Sequence, residues 1–412
     1  MKRREFLING AAISAGAILL TGCGRQDDEN ALIKTEGQIA KRRFKDLEVP
    51  LLGFGCMRFP MKKDGSVDMQ ELDLMTDYCM QHGANYFDTA YMYVGGKSEE
   101  SIGRTLKKYK RESFMLADKS PIYKMKTKDD VRKIFDEQLK RCQTDYFDFY
   151  MCHNINQNTI DNYRNVNMYD ELLALKNEGR IKYLGFSFHG TPEILRGVVN
   201  EHQWDFCQLQ VNYVDWDVVK AHEQYDIAQS AGIPVTVMEP LRGGALVNLS
   251  DKALAALKED CPETSPAAFG LRWAASQKNV ITVLSGMSNL EQVKQNIETF
   301  TGFEPMSEDE FKTADKIAKI IQSQGEINCT ACKYCLEVCP KDINIPASFS
   351  LYNQYKVTNN KMMYALYYES LDENERPDKC IKCGLCSKNC PQNLDIPALL
   401  TKVSDEYKKI KG

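Results

Sequence analysis

Beyond its first two dozen residues the chain has no apolar run near the roughly 20 residues that a membrane-crossing helix needs. It also has little excess charge, with 53 Lys and Arg against 57 Asp and Glu and a net charge of -4. The basic residues are scattered, so the stripe expected of a nucleic-acid binder is missing and no nucleic-acid partner is expected. A polyacidic tail is missing as well, and the short run Lys41-Arg42-Arg43 reads as solvated surface. Cysteine is sparse over most of the chain, yet eight of the 15 fall after residue 328. That clustering points to metal binding rather than to a disulfide framework. At 412 residues, one barrel of about 250 residues plus a small module would account for the length.

The single long apolar stretch comes first. Met1 to Leu7 sets paired arginines, Arg3 and Arg4, ahead of the run Ile8 to Leu20, which ends in Leu20-Thr21-Gly22-Cys23. These features resemble a twin-arginine export signal joined to a lipoprotein-processing box. The resemblance implies cleavage before Cys23, lipidation of its thiol, and anchorage to a membrane of the bacterial cell envelope without a crossing helix. Residues 1–23 are therefore expected to be an address. Residues 24–42, polar and with Asp27, Asp28 and Glu29 together, are expected to be a tether.

From 43 to 305 short apolar runs alternate with amphipathic stretches, the pattern of repeated βα units around a parallel sheet. Eight strand candidates centre on 52–56, 86–89, 114–117, 147–152, 183–186, 206–211, 235–238 and 281–284. Helical patterns lie between them, at 71–81, 129–141 and 162–178 among others. The fold class expected is α/β: a (β/α)8 TIM barrel, a linking helix over 306–326, and a small ferredoxin-like iron-sulfur domain with helices over 327–412. In such a barrel, catalytic groups belong at the C-terminal ends of the strands. Asp88, Lys119, His153 and Ser187 fall at four of these ends.

Asn85-Tyr-Phe-Asp88-Thr-Ala-Tyr-Met-Tyr93, followed by Gly95-Gly-Lys-Ser-Glu99, resembles the aldo/keto-reductase signature. The resemblance implies that Tyr93 is the acid/base in the interconversion of a carbonyl and an alcohol, that Lys119 lowers its pKa, that Asp88 pairs with Lys119, and that His153 orients the substrate. Tyr91 is the competing tyrosine, and the five-residue spacing from Asp88 favours Tyr93.

By the same resemblance Ser187 and Gln208 would hold a nicotinamide amide, with Met238 where an aromatic usually stacks. The stretch Gly286-Met287-Ser288 opens a helical segment carrying Gln292 and Asn296, and backbone N–H groups at a helix start suit a phosphate. NADP(H) or NAD(H) is thus the expected cofactor. Gly286 and Gln292 stand where NADPH-selective members carry Lys and Arg, which removes the basis for expecting the phosphorylated form. A flavin would reconcile two-electron with one-electron chemistry, but no flavin-binding signature is present.

Cys329-x-x-Cys332-x-x-Cys335-x-x-x-Cys339-Pro and Cys380-x-x-Cys383-x-x-Cys386-x-x-x-Cys390-Pro share the spacing of bacterial ferredoxins. Resemblance to two-cluster ferredoxins implies two 4Fe-4S clusters with crossed ligation, Cys390 completing the first trio and Cys339 the second. Residues 339–347 and 390–398 repeat one another in support. Zinc would also tolerate C-x-x-C pairs, but not readily this doubled spacing. The other cysteines downstream of Cys23 read as buried thiols.

The reading is an oxidoreductase acting on a small carbonyl or alcohol, coupled through its clusters to a redox partner protein. The alternatives are an electron-transfer lipoprotein with the barrel as scaffold, and a cluster-dependent reductase that no longer uses nicotinamide.

Overall fold

The computed structural model describes residues 31–324, 327–358 and 360–411. The residues expected to form an export signal, with Arg3, Arg4 and Cys23, lie outside the described residues. Among those described, no helix is long and apolar enough to cross a membrane.

Three short strands, β1 (Leu32–Ile33), β2 (Lys41–Phe44) and β3 (Leu47–Pro50), form an antiparallel sheet ahead of the barrel. Part of the stretch expected to be a tether is therefore structured. The reason is visible in β2, whose alternation turns Arg42 and Phe44 inward and Arg43 outward. Phe44 packs edge-on against Tyr183 at 5.0 Å and near Phe149 at 5.6 Å, plugging the barrel floor. Burying such a ring stabilises by about 2–3 kcal/mol.

Arg42 corrects the reading of a solvated basic run: it is buried, and it donates to the carbonyls of Ala275 (2.7 Å), Gln277 (2.8 Å) and Val280. Burial brings its pKa down to about 10. A guanidinium can serve several orphan carbonyls at once, and here it closes the end of the helix Pro266–Ala275 and the turn that follows.

Eight parallel strands close the barrel, β4 (Leu52–Gly55), β5 (Tyr86–Asp88), β6 (Met115–Pro121), β7 (Phe147–Ile155), β8 (Ile181–Phe188), β9 (Phe206–Gln210), β10 (Val235–Met238) and β11 (Val280–Ser285). Each coincides with one of the eight apolar runs, and β10 pairs with both β9 and β11 to complete the ring. The long helix expected over 162–178 is broken into Ile160–Asn165 and Met168–Asn177. Asn167 sits at the break with φ 51°, a left-handed conformation that asparagine tolerates better than most residues.

The helix Glu308–Ser323 opens with a capping box between Ser307 and Glu310 and leads from the barrel to the C-terminal domain. That domain has its own core, in which Phe349, Tyr352, Tyr355, Tyr364 and Tyr368 pack with Leu400 and Val403. The Tyr-rich insert between the two cysteine runs supplies most of it, through the helices Ile345–Thr358 and Lys361–Ser370. A second, independent core is what makes this a domain rather than a tail.

Candidate active site at the barrel mouth

Side chains alternate along a strand, so Lys119 points into the barrel while Asp118 points out toward the surrounding helices. Lys119 is fully buried; its Nζ pairs with the Asp88 carboxylate and donates to the Thr89 carbonyl at 2.7 Å. Gln208 holds the other Asp88 oxygen at 3.0 Å. The ammonium lies 4.8 Å from the Tyr93 ring centroid, and the Tyr93 and His153 rings meet edge-on at 6.2 Å. Asp88, Tyr93, Lys119 and His153 are thus brought together, although β6 and β7 run two residues past Lys119 and His153.

The electrostatics differ from the expectation in one respect. Lys119 is paired with Asp88 and Thr89, and the Tyr93 phenol is raised rather than lowered. The enclosing protein, and then the Asp88 and Glu239 carboxylates, push it well above the ordinary tyrosine range. Tyr93 is held as a proton donor. Burial and the Lys119 charge push His153 well below the ordinary histidine range, which leaves a neutral imidazole. Its Nδ1 is buried and has no hydrogen-bond partner among the described residues.

Asp118, on the outer face of β6, accepts from the Lys119 N–H at 2.8 Å and contacts the Cys142 thiol. Burial, then the Glu99 carboxylate, raises its pKa well above 3.8. The folded chain binds this proton more tightly than the unfolded one, so the associated stability is whole below about pH 3.8 and is lost as pH rises through the elevated folded value. Asp118→Asn is therefore expected to raise Tm relative to the parent at pH 8, with a smaller gain at pH 5. Thermal unfolding at both values measures it, and a variant less stable than the parent at pH 8 would contradict the assignment.

All eight residues expected around the dinucleotide, Ser187, Gln208, Met238, Gly286, Met287, Ser288, Gln292 and Asn296, line one cleft with Asp88, Tyr93 and His153. The space it offers to solvent is about 440 Å³, within the about 300–1,000 Å³ of a small-ligand pocket. Several of these groups are already engaged. Ser187 Oγ accepts from the Asn154 N–H at 2.7 Å, and Asn296 donates to Ser285 Oγ at 2.9 Å. Gln292 folds back to accept from the Ser288 N–H at 2.8 Å, and Asn289 caps the helix Leu290–Thr301.

The same cleft contains residues that sequence reasoning passed over. Arg58, three residues past β4, packs its stem on Gly286 and donates to the Thr330 carbonyl at 2.9 Å. Glu239, directly after β10 and in a left-handed conformation, is pushed up to about 7 by burial against the opposing pull of Arg58. Both obey the strand-end rule that found the other four, so the signal was available. Cys332, Tyr334 and Pro391 have no such signal, because they reach the cleft from the C-terminal domain.

That domain seats closely. Gly243, at φ 66°, lets the Thr330 carbonyl approach so near that an added Cβ would lie 2.2 Å from its oxygen. Gln210 and Gln392 exchange paired amide hydrogen bonds at 2.8 and 2.9 Å, while Asn393 donates to the His189 carbonyl at 3.0 Å and Asn158 to that of Lys388 at 3.1 Å.

Within the domain, Cys329, Cys332, Cys335 and Cys390 surround one small cavity, and Cys339, Cys380, Cys383 and Cys386 surround another. The crossed sets expected from the repeat are therefore present as geometry. The repeat extends to the backbone. Ala331, Lys333 and Asp342 have φ of 52°, 70° and 51°, and their counterparts Lys382, Gly384 and Asn393 have 57°, 75° and 53°. The Ala331 and Lys382 N–H groups point at Cys329 and Cys380 sulfurs, each at 3.4 Å.

Among the described residues no three His, Cys, Asp or Glu side chains converge closely enough for a single metal ion. Thiols spaced around a cavity, with backbone N–H groups on their sulfurs, instead suit a cubane in which each binds a different iron. The described cysteines are all free of disulfides, and Cys56, Cys79, Cys142, Cys152, Cys207 and Cys261 are buried as expected.

An eight-stranded parallel barrel with ionisable residues gathered at its C-terminal mouth defines a (β/α)8 fold with an enzyme-type site. Residues 51–319 match the aldo/keto reductase family, and the chain belongs to it. Residues 328–394 match the 4Fe-4S dicluster domain.

The chain is 26% identical to the L-galactose dehydrogenase of Arabidopsis thaliana over 302 residues, covering 67% of this chain and 92% of that one. It is 25% identical to an uncharacterized oxidoreductase of Bacillus subtilis, covering 66% and 94%. The holo form of an aldo-keto reductase from Bacillus halodurans superposes with a TM-score of 0.57 at 25% identity, covering 70% of this chain and 96% of that one.

Proposed function

We propose that the protein reduces a small carbonyl compound to an alcohol on its barrel and exchanges electrons through two 4Fe-4S clusters in its C-terminal domain. The observation that carries this reading is the shared cleft, in which Tyr93 and His153, the dinucleotide-type residues and Cys332 line the same walls. A nicotinamide would supply hydride there, and the clusters would supply single electrons.

The chain's own residues do the rest. Tyr93 O–H gives its proton to the carbonyl oxygen as negative charge develops on it, and neutral His153 orients that oxygen. Asp88 and Lys119 fix the floor beneath Tyr93, and the roof contributed by Tyr334 excludes water. Ser187, Gln208, Met238 and the segment 286–288 would hold the nucleotide, and the two thiol cages would hold the clusters. The twin-arginine and lipoprotein features add the proposal that the protein works at a membrane of the cell envelope, anchored through Cys23.

Removal from the cytoplasmic nucleotide pool then favours a dinucleotide retained as a prosthetic group. Protein purified without oxygen, desalted and denatured is expected to release about one nicotinamide per chain. The second reading, a reductase without nicotinamide, is favoured by the engaged Ser187 and Gln208 side chains and the missing basic clamp. An empty supernatant, together with no binding when NADH or NADPH is titrated into the native protein, would establish it in place of the first.

A further inference from the structure

Tyr334 stands in the loop Cys332-x-x-Cys335, between two thiols of the first cage, yet it lines the barrel cleft together with Tyr93 and His153. Its place there is fixed by the seating of the loop, whose Thr330 carbonyl accepts from Arg58 at 2.9 Å and lies against Gly243. The protein around the Tyr334 phenol, and then the nearby Tyr93 phenol, raise it well above the ordinary tyrosine range. Two neutral phenols from different domains thus meet in one chamber. Neither O–H has a hydrogen-bond partner among the described residues.

The construction of a cage does not call for the second phenol. The two cysteine runs repeat each other down to their left-handed backbone positions, with Lys333 at φ 70° matched by Gly384 at 75°, and the residue that matches Tyr334 is Leu385. Leu385 is exposed, and its loop completes a cage of the same spacing without a hydroxyl. The phenol is present in the loop turned to the cleft and missing from its counterpart. An enclosed O–H without an acceptor makes a filled site selective, because a ligand that lacks the matching oxygen leaves the donor unpaired.

We propose that Tyr334 is a substrate-binding residue whose O–H donates to a second oxygen of the compound that Tyr93 protonates, so that hydroxylated carbonyl compounds are favoured over plain ones. The proposal rests on the reading that Tyr93 and His153 act on a carbonyl. A compact substrate suits the chamber, because the same cleft has to take a dinucleotide as well. Tyr334 moves no proton and forms no covalent bond; it decides which carbonyl compound is held beside Tyr93. Specificity is in this way supplied by the cysteine loop rather than by the barrel that carries the acid.

The test compares hydroxyacetone with butanone, which carry a hydroxyl and a methyl at the same position, on the intact protein purified without oxygen. The ratio of their kcat/KM values is expected to fall about tenfold in Tyr334→Phe, through a higher KM for hydroxyacetone, with butanone reduced at close to the parent rate. Tyr334→Leu, which installs the residue of the matching loop, should lose the same discrimination and also admit bulkier ketones. Tyr123→Phe is the control, since that ring meets His153 edge-on at 6.2 Å but does not line the cleft. Its ratio should match that of the parent. Iron content, measured on each variant, separates a lost contact from a lost cage.

Binding of the product alcohols needs no turnover. In a ligand-observed NMR titration of the unmodified protein, propylene glycol is expected to bind severalfold more tightly than sec-butanol, and Tyr334→Phe to remove the difference. An unchanged kcat/KM ratio in both Tyr334 variants, or equal binding of the two alcohols to the parent protein, would overturn the proposal. Glycol selectivity that depends on Tyr334, in a protein that reduces neither ketone, would uphold the contact while refuting the carbonyl reading beneath it.

Discussion

Tyr93→Phe is expected to lower the rate of carbonyl reduction by about 10²-fold or more, with Tyr91→Phe close to the parent enzyme. The substitution deletes one oxygen and keeps the ring, so the edge-on contact with His153 and the placement over Lys119 survive. The loss should therefore appear in kcat with little change in stability. Tyr91 is a fair control because it sits two residues away but faces elsewhere. Its hydroxyl donates to Glu137 at 3.2 Å, its ring lies against the Arg141 guanidinium, and it does not line the cleft. Steady-state kinetics on both variants with one carbonyl substrate decides the matter. An equal loss in the two would show that the proton comes from neither tyrosine in particular.

Cys390→Ser is expected to cut iron from about eight to about four per chain, the content of one cubane. The geometry also says which half empties. Cys390 shares its cavity with Cys329, Cys332 and Cys335, so those three thiols should become open to alkylation under native conditions while Cys380, Cys383 and Cys386 stay protected. Mass spectrometry of alkylated peptides separates this from the uncrossed arrangement, in which the second trio would react. Protection of the first trio in the variant would refute the crossed sets.

The parts of this molecule that were legible in the sequence are those encoded by local periodicity or spacing. Each barrel strand is a compact apolar run, and each cage draws three of its thiols from one tight turn whose cysteine spacing suits a cubane. The illegible parts depend on contacts distant in sequence. Arg42 looks like surface charge until the carbonyls of Ala275, Gln277 and Val280 are folded over it.

The direction of the Tyr93 shift could not be read from a Lys-Tyr-Asp pattern, because the sign is set by burial and by the Asp88 and Glu239 carboxylates that the fold brings near. Glu239 and Arg58 were missed for a different reason. They stand just past strand ends as well, but no spacing to a second polar residue marks them out among loop residues. Tyr334 lies outside any barrel-based rule, since the cleft it lines belongs to two domains.

The contact between Gly243 and the Thr330 carbonyl places the first cysteine loop against the catalytic cleft, and the crossed sets make that loop depend on Cys390, near the end of the chain. A chain starved of iron would keep its barrel, whose core is separate from that of the C-terminal domain. On the reading that the cages hold clusters, it would lose the ties that bind Cys329, Cys332 and Cys335 to Cys390 beside the wall of the cleft. Iron supply would then bear on the shape of the chamber as well as on its electrons.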